Sequence, residues 1–481
     1  MSSEGIAEPS APQRTGHDSE TPAALEAFMA GGWLDRSPDL RPHPQLERHR
    51  ARRAALSHAY RGAYVLIPCG RERVRANDTY FRFRPSSDFA YLMGDGEPDA
   101  LLVLEPQGAG HRTVLFVREH NRGTRAFFTD RAVGELWVGR HRGVEESAAY
   151  YGVDECRPLR DRAAYLGAVA ATTAAHALVR NADDAVDAAL AQAGRDAELA
   201  THLAEMRLVK DDYELDELRA ACALTKTGFE AVIRVMKPGA SEREIEAAFS
   251  SRARIDANDV GYLTIAASGE HACTLHWTRN DGTLAGDGLL LLDAGVERNS
   301  LYTADVTRTL PVSGTFSPEQ RAVYDLVWQA QREGIAAAVA GNDFLEPNRR
   351  AMRVLAEGLI DLGILNVSLD EALDPSNEFF RRYTLHNVSH MLGIDVHDCA
   401  RARAEAYRYG TLRPGMVLTV EPGIYLQPDD ATVPERFRGI GVRIEDDVAV
   451  TTGSAENLSA ALPSQASDVE RWIAAVRSEE G

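Results

Sequence analysis

Five polar residues at the ends of apolar or β-branched runs constrain this chain more than any other feature: Asp293, Asp305, His390, Glu421 and Glu445, all in its C-terminal half. Four carboxylates and one imidazole carry about four negative charges near neutral pH. Carboxylates buried together repel one another, so some must take up protons or stay in water unless cations neutralise them. Two divalent cations would do so, and the set fits a two-metal hydrolytic site.

Acidic residues are cheap in a chain that holds 72 of them, so the local contexts carry the argument. Asp293 closes the apolar run Leu289-Leu290-Leu291-Leu292 and precedes Ala294-Gly295, as expected of a buried strand that delivers a carboxylate at its end. Asp305 lies in the β-branched stretch Tyr302 to Thr309, with Glu297-Arg298-Asn299-Ser300 between the two as a turn, so a hairpin would set both aspartates on neighbouring strands. Glu421 ends the run Val417-Leu418-Thr419-Val420, where Pro422 and Gly423 stop the ladder. Glu445 follows Gly441-Val442-Arg443-Ile444, and the two-residue period predicts Arg443 on the same sheet face, placed to orient that carboxylate. His390 belongs to the segment His386 to Asp398, in which His386, His390 and His397 fall close together among only 14 histidines in the chain. A mononuclear zinc site on those three is conceivable, but no His-Glu-x-x-His motif accompanies them.

The blocks Leu292-Asp293-Ala294-Gly295, Ala304 to Thr309, His386 to Asp398, Thr419 to Gly423 and Arg443 to Asp447 resemble, in order and separation, those of aminopeptidase P, the Xaa-Pro aminopeptidase of the pita-bread metallopeptidases. Ser268 to Trp277 adds a match upstream, and Phe83 to Gly94 is similar to the opening of that family's non-catalytic domain. One departure is that twelve positions separate Asp293 from Asp305 here, where the family usually has eleven, which predicts an extra residue at the hairpin tip.

The resemblance implies an α+β fold: a C-terminal pita-bread (creatinase/aminopeptidase) catalytic domain over residues 196–481, preceded by a smaller α/β N-terminal domain over 44–195; the first 45 residues match nothing in the family, and residues 1–21, rich in Ser, Pro, Glu, Thr and Gly with almost no large apolar side chains, predict that 1–43 is a disordered extension. The resemblance also implies that Asp293 binds one metal, His390 and Glu421 the other, and that Asp305 and Glu445 bridge both. A metal-bridging hydroxide would then hydrolyse the N-terminal Xaa-Pro bond of peptides with proline at the second position. Glu421 would shuttle the proton, and His276, His386, His397 and Arg443 would complete the catalytic set. Oxygen-rich ligands with one imidazole favour manganese over copper, with zinc or cobalt able to occupy the site in vitro. Prolidase, which cuts Xaa-Pro dipeptides on the same ligands, is the alternative. Methionine aminopeptidase usually lacks the large first domain, creatinase departs from the ligand pattern, and a non-catalytic binding protein on this scaffold would typically have lost ligands. Trp137 resembles a tryptophan that bacterial relatives lend to a neighbouring subunit, which implies a homo-oligomer, a tetramer or dimer; a core aromatic in an amphipathic helix is the competing reading.

At 481 residues the chain exceeds one typical core. No apolar run approaches the roughly 18–20 residues of a membrane span, and no basic segment followed by an apolar one opens the chain, so a cytoplasmic protein is expected. Cys69, Cys156, Cys222, Cys273 and Cys399 are scattered and without paired spacing, which indicates neither a disulfide framework nor a cysteine zinc site. A net charge of -19 argues against nucleic acid as a partner. The basic run Arg48-His49-Arg50-Ala51-Arg52-Arg53, in a helix predicted over Pro44 to Tyr60, reads as a solvated face. Ser241 with Glu244, and Ser317-Pro318 with Gln320, predict helix starts. Lys237-Pro238-Gly239 should end the helix that begins at Asp212.

Overall fold

The computed structural model describes residues 21–34, 36–191 and 194–479, and the chain divides into two compact units, 1–193 and 194–481.

The N-terminal unit is built on a five-stranded mixed sheet in the order Glu155–Pro158, Gly110–Val117, Leu101–Gln107, Tyr64–Pro68, His176–Leu178. The three central strands are antiparallel and the two outer ones pair parallel. Runs such as Leu101-Leu102-Val103-Leu104 are buried throughout, as strands covered on both faces must be. Leu66, Leu101, Val103 and Phe116 form one core with Leu166 and Val169 of the helix Arg162–Ala170.

Three expectations are corrected in this unit. The helix predicted from Pro44 runs over Leu46–Ala59, and its basic run is not a solvated face: His49, Arg52 and Arg53 are buried. Arg52 Nη1 donates to the Tyr91 carbonyl (3.1 Å), and Arg53 donates to those of Leu92 (2.9 Å) and Tyr151 (2.9 Å). Tyr91 and Leu92 lie in the last turn of the helix Ser87–Met93, whose carbonyls have no partner within the helix, so cations are drawn there. Second, residues 1–20 of the extension expected to be disordered lie outside the described residues, but Ala23–Met29 is helical. Beyond that helix Trp33 packs edge-on to Phe127 at 5.0 Å, and Glu26 pairs with Arg125, so the segment has something to fold against. Third, Trp137 is not a core aromatic. It is 54% exposed on the one-turn helix Glu135–Val138, with Nε1 donating to the Phe128 carbonyl (2.8 Å).

In the C-terminal unit the capping signals act as predicted. Ser241 and Ser317 each accept from a backbone N–H at the head of Glu242–Asp256 and Pro318–Ala337, and Glu244 and Gln320 reach back. The helix from Asp212 ends at Val235, just before Lys237-Pro238-Gly239. These helices, with Glu346–Asp361 and Ala466–Ser478, cover the sheets and share one large core with them. One sheet orders Thr307–Pro311, Leu289–Asp293 and Ile265–Ser268, and another Val417–Val420, Asp446–Ala449 and Glu456–Asn457, all antiparallel. Asp293 pairs with Thr307 at the end of its strand, so Asp305 falls beside it, two residues before Thr307. Gly295 allows that approach, because a Cβ there would lie 1.7 Å from the Ala304 carbonyl oxygen. The hairpin tip turns at Arg298 to Leu301, with Leu301 at φ 70°.

Gly441 to Val448 is not one strand. Gly441–Arg443 pairs with Gly423–Tyr425, Asp446–Ala449 pairs with Val417–Val420, and Ile444-Glu445 forms the joint. The break lets three successive acids face different partners, as the site shows.

Candidate metal centre

Three of the five expected ligands sit at a strand end or joint in the C-terminal unit: Asp293 at the last position of Leu289–Asp293, Glu421 just after Val417–Val420, and Glu445 between two strands, while Asp305 lies two residues before Thr307–Pro311. His390 is tied to the Glu421 strand by its own backbone. Thr419 N donates to the His390 carbonyl (3.0 Å), and His390 N donates to Thr419 Oγ1 (3.1 Å).

Asp305, His390 and Glu445 offer three ligand atoms all within 4.8 Å of one another. His390 Nε2 lies 3.3 Å from Asp305 Oδ2 and 3.4 Å from Glu421 Oε1, which brings Glu421 to the same imidazole. Asp293 joins through Tyr262, whose hydroxyl is 2.7 Å from Asp293 Oδ1 and 2.5 Å from Asp305 Oδ1. The five residues therefore face a common space. His386 and His397 do not enter the three-donor group, so a site on three histidines is not formed among the described residues.

The surroundings differ from expectation at Arg443. It was predicted to steady Glu445, but its Nη2 donates to Asp293 Oδ2 (2.5 Å) and its Nη1 to the Tyr425 hydroxyl (3.0 Å). The strand break after Arg443 turns Glu445 towards Thr307, whose hydroxyl accepts from Arg443 Nε (3.1 Å) and donates to Glu445 Oε2 (2.7 Å). Asp446 instead pairs with the fully buried Arg308 (2.7 Å), and Asp447 Oδ2 accepts from the backbone N–H of Asp305 (3.0 Å). Of the three acids in a row only Glu445 enters the donor set.

Burial makes this cluster costly without a counter-charge. Asp293 is pushed up by burial, against Arg443 and with Asp305 adding to the rise; Glu445 is pushed up by burial and then by Asp305; and Glu421 rises to about 7, chiefly through burial. Burial disfavours charge on His390 too, but the Asp305 hydrogen bond and Glu421 prevail and raise it to about 9. Without cations the pocket holds protons; cations would replace them, as a set of oxygen ligands with one imidazole is suited to do.

The other histidines lie around this centre. His386 Nδ1 donates to the Asn387 carbonyl (2.9 Å), so its Nε2 accepts from the Tyr425 hydroxyl (2.7 Å), and the ring is 3.6 Å from Glu421. Burial holds His386 down at about 4, so it is neutral at neutral pH. The His397 ring meets His390 edge-on at 4.5 Å. His276 is exposed, close enough to oppose a proton on both His386 and His397.

Sequence reading missed Tyr262, Thr307 and Tyr425. Thr307 and Tyr425 have a faint local signal, standing two and four positions beyond Asp305 and Glu421. Tyr262 has none, because it precedes Asp293 by 31 positions and arrives from the edge of a separate two-stranded ladder.

Residues 216–452 match Metallopeptidase family M24, and residues 49–178 match the Aminopeptidase P, N-terminal domain. Xaa-Pro aminopeptidase 1 of Streptomyces coelicolor is 47% identical over 460 residues, covering 94% of this chain and 92% of the relative. The Xaa-Pro aminopeptidase of Escherichia coli is 33% identical over 452 residues, covering 90% and 98%. Among solved structures, a variant of Escherichia coli aminopeptidase P in complex with substrate superposes with a TM-score of 0.80 at 32% identity, covering 91% of this chain and all of that one. Pseudomonas aeruginosa aminopeptidase PepP gives 0.81 at 32% identity, covering 91% and 99%.

Proposed function

The chain belongs to metallopeptidase family M24, with an aminopeptidase P N-terminal domain in front, and from that premise we propose that it removes the first residue from peptides whose second residue is proline. The observation that carries this reading is the convergence of Asp305, His390 and Glu445, with Asp293 and Glu421 joined through Tyr262 and His390, in a chain 47% identical to a named Xaa-Pro aminopeptidase across nearly its whole length. Such a donor set suits two divalent cations, with manganese the expected ion. Bound there, they supply a water of lowered pKa and countercharge for the developing oxyanion.

The chain's own residues do the rest. Asp305 and Glu445 would be the ligands shared by both ions, Asp293 would serve one of them, and His390 and Glu421 the other. The proline nitrogen is a tertiary amide that cannot leave as an anion near neutral pH, so it must be protonated as the bond breaks. We assign that proton transfer to Glu421, whose carboxyl lies beside His390 at 3.4 Å within the donor set. Arg443 orients Asp293 and, through Tyr425, His386. Both nitrogens of His386 are engaged, so we assign His276 and His397, on the open side, as the donors to substrate carbonyls, with His386 steadying the wall beside Glu421.

The half-exposed row Leu136, Trp137 and Val138 supports an assembly of identical subunits, a tetramer by analogy with the sequence reading. Among the described residues no helix is long and apolar enough to cross a membrane, and a cytoplasmic location is our reading.

The test is to strip the protein of metal, restore manganese, and compare Xaa-Pro-Yaa tripeptides, Xaa-Pro dipeptides and Met-Ala peptides. Release of Xaa from the tripeptides is expected. Turnover confined to dipeptides would make the protein a prolidase instead.

A further inference from the structure

In the N-terminal unit, His120, Glu135 and His141 offer three ligand atoms within 4.8 Å of one another. His120 follows the strand Gly110–Val117, Glu135 opens the helix Glu135–Val138, and His141 stands in the loop after it. Nothing in the peptidase reading uses them.

Hydrogen bonding decides where the protons of the two rings sit. His141 Nε2 is 2.8 Å from the Glu119 carbonyl, which can only accept, so this nitrogen carries a hydrogen. His120 Nε2 is 3.0 Å from Glu146 Oε2. The Glu146 carboxylate also accepts from the backbone of Asp39 and Gly143 and from Arg140, so it too receives a ring N–H. Arg140 Nη2 carries two hydrogens: one goes to Glu146 Oε1 at 2.7 Å, and its contact with the same ring nitrogen, at 3.4 Å, is longer and weaker than that ring's own 3.0 Å approach to Glu146. In neutral rings, both Nδ1 atoms then present lone pairs to one acceptor atom, Glu135 Oε1, at 2.6 and 3.7 Å. The Glu135 side chain is 3% exposed and turned inward. Three acceptors facing one point repel unless a second proton or a cation lies between them. Each ring is also fixed from behind, His120 by a carboxylate and His141 by a carbonyl, the arrangement that orients imidazoles on a metal.

We propose that His120 Nδ1, Glu135 and His141 Nδ1 form a separate cation site that takes one zinc-class divalent ion, with water as the fourth ligand. Two imidazoles and a carboxylate are a recurrent three-ligand zinc set with one open position. With more nitrogen than the catalytic set, it favours zinc or cobalt over manganese. Tetrahedral bonds of roughly 2.0–2.2 Å place donors about 3.3 Å apart. The ion would thus part His120 from Glu135 and draw His141 slightly closer. A cavity of about 360 Å³ lined in part by both histidines admits the water. The ion acts as a clip: it fastens three stretches of chain and pins the short helix that carries Trp137.

The test counts bound zinc or cobalt on the full chain by equilibrium dialysis. Wild type should take up three equivalents and His141→Ala two, with manganese-supported peptidase activity retained. Asp305→Ala/Glu445→Ala should keep one, lost again when His141→Ala is added. Equal uptake by wild type and His141→Ala, or none by Asp305→Ala/Glu445→Ala, overturns the proposal. Anomalous diffraction at the zinc edge from wild-type crystals needs no variant. A peak between the two Nδ1 atoms and Glu135 is expected; a bare site at saturating zinc means that a proton on His120 closes the cluster instead.

Discussion

Tyr262→Phe isolates one hydroxyl at the junction of the candidate donor set. That hydroxyl touches Asp293 Oδ1 at 2.7 Å and Asp305 Oδ1 at 2.5 Å. It has one hydrogen for two oxygens, so in the cation-free protein one carboxyl must keep a proton, in agreement with the upward direction of Asp293. Its hydrogen bond favours the ionised form of Asp293, and only ionised carboxylates bind cations, so removing it weakens metal binding twice: the carboxylates lose their relative orientation, and protons compete better. A hydrogen bond to a charged group contributes about 1.5–3 kcal/mol. At about 1.4 kcal/mol per tenfold, this corresponds to manganese binding weaker by roughly 10- to 100-fold, the range usual for outer partners of metal ligands. The assay is titration of metal-free protein with manganese, read by calorimetry and peptide hydrolysis at pH 8 and pH 6. The midpoint should rise by that factor at pH 8 and by more at pH 6, with an unchanged circular dichroism spectrum. A midpoint within twofold of wild type at both pH values would refute the reasoning.

Asp305→Ala or Glu445→Ala should lose metal and activity together while the fold persists; an inactive variant that still bound two manganese equivalents would show that the bridging roles are misassigned. Arg308, fully buried against Asp446 and several carbonyls, should cost about 3–5 kcal/mol when replaced by Ala, because Asp446 would be left as an uncompensated buried charge; a thermal midpoint close to wild type would contradict this. His49 is held at about 3, mainly by burial, so it stays neutral when folded but takes up a proton below about 6.5 when unfolded. Its contribution is therefore complete above that pH and is lost as pH falls towards 3, by about 2 kcal/mol at pH 5. Denaturation midpoints at pH 7.5 and 5 should differ less in His49→Gln than in wild type, and an equal difference would sink the idea.

The positions of the expected ligands Asp293 and Glu421 were legible because strand termini announce themselves. An apolar run followed by Ala-Gly at Asp293, or by Pro-Gly at Glu421, marks where a buried strand stops and a carboxylate can project. Helix starts at Ser241 and Ser317 were legible for a similar reason, since the capping residues lie three apart in the chain. Partners brought from far away were not. Arg52 and Arg53 looked solvated because the carbonyls they cap belong to a helix some 40 positions onward. Arg443 was matched to the wrong carboxylate because the period of two assumes one continuous strand, and the chain breaks at Ile444-Glu445. Tyr262 could not be singled out, since a lone tyrosine near a strand is ordinarily packing material.

The most direct measurement is stepwise addition of manganese to metal-free protein while Xaa-Pro-Yaa hydrolysis is followed. Activity should be absent at the start and rise to a plateau at two tightly bound equivalents. Full activity in protein shown by elemental analysis to contain no metal would contradict the claim that Asp293, Asp305, His390, Glu421 and Glu445 hold a working cation pair.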